Sequence, residues 1–114
     1  MNNNTGIDQK IFEEWSNMEK QLVELFKVRG KKETVVLMDR GLSLFYEALF
    51  VINGQAISHD EASIMGLKYK PINVAERMNF IQLRRGSYHS FRQLAELFKE
   101  LEKQYAKKAS LEKI

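Results

Sequence analysis

Residues 33–52 read ETVVLMDRGLSLFYEALFVI, and their spacing decides the fold. Val35, Met38, Leu42, Phe45, Leu49 and Ile52 step by three or four, the interval that keeps side chains on one stripe of an α-helix. Leu37, Leu44, Ala48 and Val51 add apolar surface on its other sides. A helix apolar in several directions is contacted from several directions, so this one belongs at the centre of a helical domain. Gly41 lies inside it, where glycine costs about 1 kcal/mol relative to alanine, and this predicts a close approach by a neighbouring helix. Asn53-Gly54 supplies the stop.

Upstream, Ile11, Trp15, Met18, Leu22 and Leu25 repeat the same interval and predict a first helix from about Asp8 to Val28, ended by Gly30. On that stripe Trp15 is a core residue. Downstream, Ser58 and Glu61 have capping-box spacing and predict a short helix to about Met65, closed by Gly66. Pro71 pushes Lys70 toward an extended conformation, and Asn73 with Glu76 forms a second cap-like pair ahead of Val74, Met78 and Ile81, with Phe80 and Leu83 adjacent. Gly86 closes that segment. Ser87 or Ser90 then caps a long final helix carrying Phe91, Leu94, Phe98, Leu101 and Tyr105. The expectation is an all-α fold, a compact antiparallel bundle of three long and about two short helices. Residues 8–107 form its single domain, with a disordered tail at 1–7 and a frayed one at 108–114.

A chain of 114 residues can bury one core without help from disulfides or metals. Cysteine is absent, which excludes thiolate nucleophiles, thiolate zinc sites and iron–sulfur clusters. No basic segment followed by an apolar run opens the sequence. The most apolar stretch, Leu42 to Ile52, is interrupted by Ser43 and Glu47 and falls short of the roughly 20 residues that span a bilayer. A soluble cytoplasmic protein without membrane contact is expected.

The net charge is +3, and its distribution says more than its size. Lys68, Lys70, Arg77, Arg84 and Arg85 stand against Glu76 alone, whereas residues 1–30 hold four basic and five acidic side chains. Arg77 and Arg84 share a face if the helix between them is continuous, and Tyr69, Tyr88 and His89 flank the charges with rings that could stack on bases. Lys68, Lys70, Arg77, Arg84, Arg85 and His89 are therefore the candidate binding residues. They would face an acidic protein or a nucleic acid bound weakly and without sequence preference. Self-association into a homodimer stays open.

Catalytic readings find little. His59 and His89 each lack a second histidine at helical metal-ligand spacing, so no metal site or cofactor is expected. His59 fits the charged first turn of the short helix. The pairs Glu13–Glu14 and Glu96–Glu100–Glu102 match solvated helix faces, and no phosphate-binding glycine loop occurs. Arg84 and His89 are separated by four residues, a spacing that resembles the ribonuclease motif of HEPN-domain proteins. That resemblance implies an arginine holding a phosphate while a histidine moves a proton in metal-independent RNA cleavage. Arg85 stands where that motif expects a polar residue, and Gly86 breaks the helix that would carry it.

Two further stretches, Lys-Pro-Ile-Asn-Val-Ala-Glu-Arg at 70–77 and Tyr-His-Ser-Phe-Arg-Gln-Leu at 88–94, resemble segments of the YpoC-like family of Firmicutes. The likeness is clearest from Lys70 to Tyr105 and includes a Phe-Tyr-x-x-Leu-Phe stretch at Phe45 to Phe50. The family has no assigned activity, so the resemblance implies no catalytic residue. Its gene neighbourhood links it to DNA or envelope work by association only. It does single out Pro71, Asn73, Glu76, Arg77, Tyr88, His89, Ser90, Phe91 and Gln93, several of which core packing does not require. Asn73 and Ser90 have an alternative role as helix caps, and Glu76 as a reciprocal cap partner.

Overall fold

The computed structural model describes residues 3–112, which form five α-helices: α1 (Asn3–Lys27), α2 (Lys31–Ile52), α3 (Glu61–Met65), α4 (Val74–Leu83) and α5 (Tyr88–Glu112). The all-α bundle is as expected, with α2 packed against α1, α5 and α4. Two ends differ from expectation. α1 begins at Asn3, ahead of Asp8, and α5 continues to Glu112, past Lys107. The α5 end is anchored: Lys108 donates to the Ile52 carbonyl at 2.6 Å, and the Tyr105 hydroxyl hydrogen-bonds Asp8. Of the two expected tails, residues 1–2 and 113–114 lie outside the described residues.

The core is an aromatic stack built around the smallest residue of α2. Trp15 of α1 lies parallel to Phe98 of α5 with ring centroids 4.3 Å apart, and Phe45 of α2 meets Phe98 edge-on at 5.2 Å. A Cβ on Gly41 would sit 3.0 Å from Leu94 Cδ2 and 3.1 Å from Trp15 Cζ3, so glycine is what lets three helices meet here. The predicted close approach is this one. The α1–α2 turn departs from expectation in detail. Arg29, not Gly30, takes the left-handed conformation (φ 56°), while a Cβ on Gly30 would fall 3.2 Å from the side chains of both Leu25 and Glu33.

Beyond α2, Gly54 takes positive φ and Asn53 acts as a clamp. Its Nδ2 donates to the carbonyls of Leu49 (2.7 Å) and Tyr69 (2.8 Å), and its Oδ1 accepts from the Tyr69 amide (2.9 Å). Gln104 donates to the Lys70 carbonyl at 2.6 Å, which fixes the same segment to α5. Asp60, not Ser58, occupies the N-cap position of α3, without a side-chain capping hydrogen bond, and the Ser58 hydroxyl instead accepts from the Asp60 amide at 3.2 Å. Of the two serines considered for α5, Ser87 caps it, accepting from the Ser90 amide at 3.0 Å, and Ser90 is buried. No helix of the described residues is long and apolar enough to cross a membrane.

Candidate functional site

α4 is ten residues long, about 15 Å, and lies against α5. Its inner stripe, Val74, Met78 and Ile81, is buried. The stripe turned toward the groove with α5 is Asn73, Glu76, Arg77 and Phe80, spaced by three and four. From α5, His89 and Gln93 face them four residues apart. These six side chains line a surface pocket of about 260 Å³.

Asn73 is the residue before α4, as expected of a cap, yet it does not cap. It sits in the left-handed region at φ 56° and its side chain makes no capping hydrogen bond. Asparagine tolerates that conformation better than most residues, so the backbone explains its presence while leaving its amide free. Gln93, Glu76 and His89 likewise have no hydrogen-bond partner among the described residues. Phe80 separates them: His89 meets its ring edge-on at 5.4 Å, and the Arg84 guanidinium lies over it at 4.6 Å. The pocket thus combines an aromatic wall with amide, carboxylate and imidazole groups whose bonding capacity is unspent. Outside it, Ile72, just before α4, and Leu83, its last residue, are 75% and 71% exposed beside the exposed polar side chains of Glu76, Asn79 and Gln82.

The six residues expected to bind do not share one environment. Arg77 is half-buried and forms a bidentate pair with Glu100 of α5, at 3.1 and 2.6 Å, with a further bond to the Ile72 carbonyl. Glu100 is therefore not the solvated carboxylate its spacing suggested. Arg85 pairs with Asp39 of α2 at 2.6 Å. Lys70 donates to the Leu67 carbonyl at 2.6 Å, and Lys68 lies 5.4 Å from the Tyr69 ring at the start of the α4 region. Arg84 is the C-cap residue with φ −133°, so it leaves the helical face that Arg77 occupies. Only Arg77 and His89 line the pocket, with Arg84 over its Phe80 wall, and of the basic side chains Lys68, Lys70 and Arg84 have no carboxylate partner among the described residues.

His59 is exposed and stacks on Tyr46 at 5.3 Å. Among the described residues no group of three histidine, aspartate or glutamate side chains is placed to hold a metal ion. Phe80, adjacent in sequence to the buried stripe of α4, is a pocket residue that the sequence does not single out. Its signal was its position, off the Val74–Met78–Ile81 stripe and on that of Asn73 and Arg77.

The pocket draws its lining from the two segments quoted above, 70–77 and 88–94, with Phe80 between them. A family model described as YpoC-like protein matches residues 7–113. The chain belongs to the YpoC-like family. A relative from Bacillus subtilis (strain 168), named Uncharacterized protein YpoC, is 33% identical over 100 residues, which cover 85% of this chain and 61% of the relative. The chain thus spans about three fifths of the length of that YpoC relative. No solved structure matches it. In this YpoC-like chain the two segments serve different ends: Pro71 and Ser90 are buried in the fold, whereas Asn73, Glu76, His89 and Gln93 face outward at the pocket.

Proposed function

We propose that the chain is a non-enzymatic interaction module that binds a protein partner through the α4–α5 face. One observation carries this reading: unspent polar groups of Asn73, Glu76, His89 and Gln93 ring the Phe80 wall of a pocket flanked by exposed Ile72 and Leu83. Apolar side chains left in water beside polar groups without partners are the pattern of a contact surface. A protein suits it better than a nucleic acid, because Arg77 and Arg85 are already held by carboxylates. Phosphate binding would have to compete with those pairs.

The test is a photo-crosslinking amino acid placed at exposed Asn79, in cells where the chain is native. A discrete crosslinked protein is expected, and it should be lost on Asn73→Ala with Gln93→Ala. The reading fails if position 79 gives no product, or if the double substitution leaves the product unchanged while circular dichroism reports an intact fold.

RNA cleavage is a second reading, supported by one observation: Arg84 and His89 both contact Phe80. Catalysis would require both groups at one phosphate. Purified protein is expected to leave RNA intact. Cleavage that disappears in His89→Ala would replace the interaction reading with this one.

A further inference from the structure

A cleft of about 460 Å³ lies between α1 and the C-terminal half of α5. Phe12 of α1 and Tyr105 of α5 form its aromatic surface, both half-buried, with ring centroids 6.0 Å apart and planes tilted by 40°. The Tyr105 hydroxyl donates to the buried carboxyl of Asp8, which fixes the ring, and Asp8 Oδ1 has no hydrogen-bond partner. Each helix adds one exposed glutamate, Glu13 from α1 and Glu102 from α5, and neither is in an ion pair among the described residues. Gln9, Ser16 and Ala106 complete the lining, so two carboxylates face the cleft and no basic side chain does. Lys10 and Lys99, three positions before Glu13 and Glu102, pair with neither. On a chain of net charge +3 this is a local reversal of sign.

We infer that the cleft binds an arginine side chain presented by a basic segment of a partner protein. A cation is attracted to the face of an aromatic ring and forms charge-assisted hydrogen bonds to carboxylates, and both are present here. Arginine suits the cleft better than lysine. Its planar guanidinium lies flat on a ring while its N–H groups point outward in the plane, toward a carboxylate on either helix, whereas an ammonium is a compact, strongly hydrated charge. The chain makes both contacts within itself: the Arg84 guanidinium lies 4.6 Å over Phe80, and Arg77 pairs bidentately with Glu100. At Phe12 and Tyr105 the rings and carboxylates are in place and the lining supplies no arginine. An anionic occupant would be repelled by Glu13 and Glu102, and an apolar one would strip them of water without replacing it. Phe12, Ser16 and Glu102 also line the next hollow along the α1–α5 seam, about 330 Å³, so the cleft is one stretch of a longer groove. A groove of that form takes a length of chain rather than an isolated small cation. It is separate from the Phe80 pocket and does not rest on the proposed role of that pocket.

Titration of isotope-labelled protein with the blocked pentapeptide Gly-Ser-Arg-Ser-Gly, followed in amide NMR spectra, tests the inference. Saturable shifts are expected in residues 9–16 and 102–106. The same peptide carrying citrulline, which keeps the shape of arginine without its charge, should produce none, and the lysine peptide should bind several-fold more weakly. Glu13→Gln with Glu102→Gln should weaken binding about tenfold, and Phe12→Leu about threefold, with circular dichroism unchanged. The inference is overturned if no saturable shift appears, if the citrulline peptide moves the same amides, or if the folded double glutamine variant binds as the wild type does. Spermidine binding to the cleft more tightly than the arginine peptide would assign it to a free polyamine and overturn the assignment to a partner protein.

Discussion

Gly41→Ala separates two opposing effects whose sizes the structure sets. In an isolated helix the change should help by about 1 kcal/mol, because glycine is the poorer helix former. Here the new methyl would stand 3.0 Å from Leu94 Cδ2 and 3.1 Å from Trp15 Cζ3. Apolar carbons are content at roughly 3.5–4.0 Å, so both neighbours must withdraw by about half an ångström or more. Leu94 is fully buried and the Trp15 indole is held parallel to Phe98 at 4.3 Å, which leaves neither much freedom. Overpacking of a closed core costs about 1–3 kcal/mol, enough to cancel the helix gain and leave a net loss of about 1 kcal/mol. For a domain of this size that is a fall of roughly 4 °C in Tm. Urea unfolding followed by the fluorescence of Trp15, the single tryptophan, reads the loss at the place where it arises. A variant as stable as the wild type or more so would show that α1 and α5 yield at this point, and the argument for Gly41 as the residue that sets their approach would fall.

Two further outcomes follow from charges the fold has placed. Asp8 is buried, its Oδ1 has no hydrogen-bond partner, and its pKa is raised by desolvation against the opposing pull of the Tyr105 hydroxyl and the Lys108 charge. A carboxyl group whose folded pKa is raised contributes stability that is present below its unfolded value and lost as pH rises through the folded one. Asp8→Asn should therefore be the more stable form at pH 7, with the advantage shrinking as pH falls through the raised folded pKa of Asp8 and gone below about 4; a difference that does not change with pH in urea titrations would refute this. For nucleic acid, five phosphate contacts from Lys68, Lys70, Arg77, Arg84 and Arg85 would set a log–log salt slope of about 4.5 on duplex DNA. With Arg77 and Arg85 in ion pairs and Lys70 on the Leu67 carbonyl, Lys68 and Arg84 alone limit it to about 2. Fluorescence anisotropy at several salt concentrations measures the slope, and a value near 4.5 would mean that the ion pairs open on binding.

What the sequence disclosed about the fold was whatever depends on neighbours along the chain. The stripes of α1, α2 and α5, the need for glycine at 41 and a serine cap for α5, at Ser87 or Ser90, all follow from spacings of three and four residues or from the demands of one backbone position. The expectations that went astray needed knowledge across the chain. Arg77 and Glu100 are 23 positions apart, and Arg85 and Asp39 are 46 apart. Nothing local marks either arginine as already partnered, so from the sequence a run of basic residues looks like a surface for anions. The α1–α5 cleft is hidden for a related reason. Periodicity shows which side of a helix seeks a core, but not where along its length a neighbouring helix stands off.

The pocket, by contrast, was more legible than the expected basic patch, because its residues obey the same rule as the core. Asn73, Glu76, Arg77 and Phe80 form a helical stripe as regular as that of Val74, Met78 and Ile81, displaced around the axis. His89 and Gln93 repeat the interval on α5, and Glu100 continues along the same side to meet Arg77. A short helix with one stripe for the core and a second, mixed polar and aromatic stripe has more surface to satisfy than its own bundle supplies. α5 answers part of that demand through the Arg77–Glu100 pair and the His89–Phe80 contact. Ile72, Leu83 and the free amides of Asn73 and Gln93 are what remains, and they define the surface on which a partner of this chain should be sought.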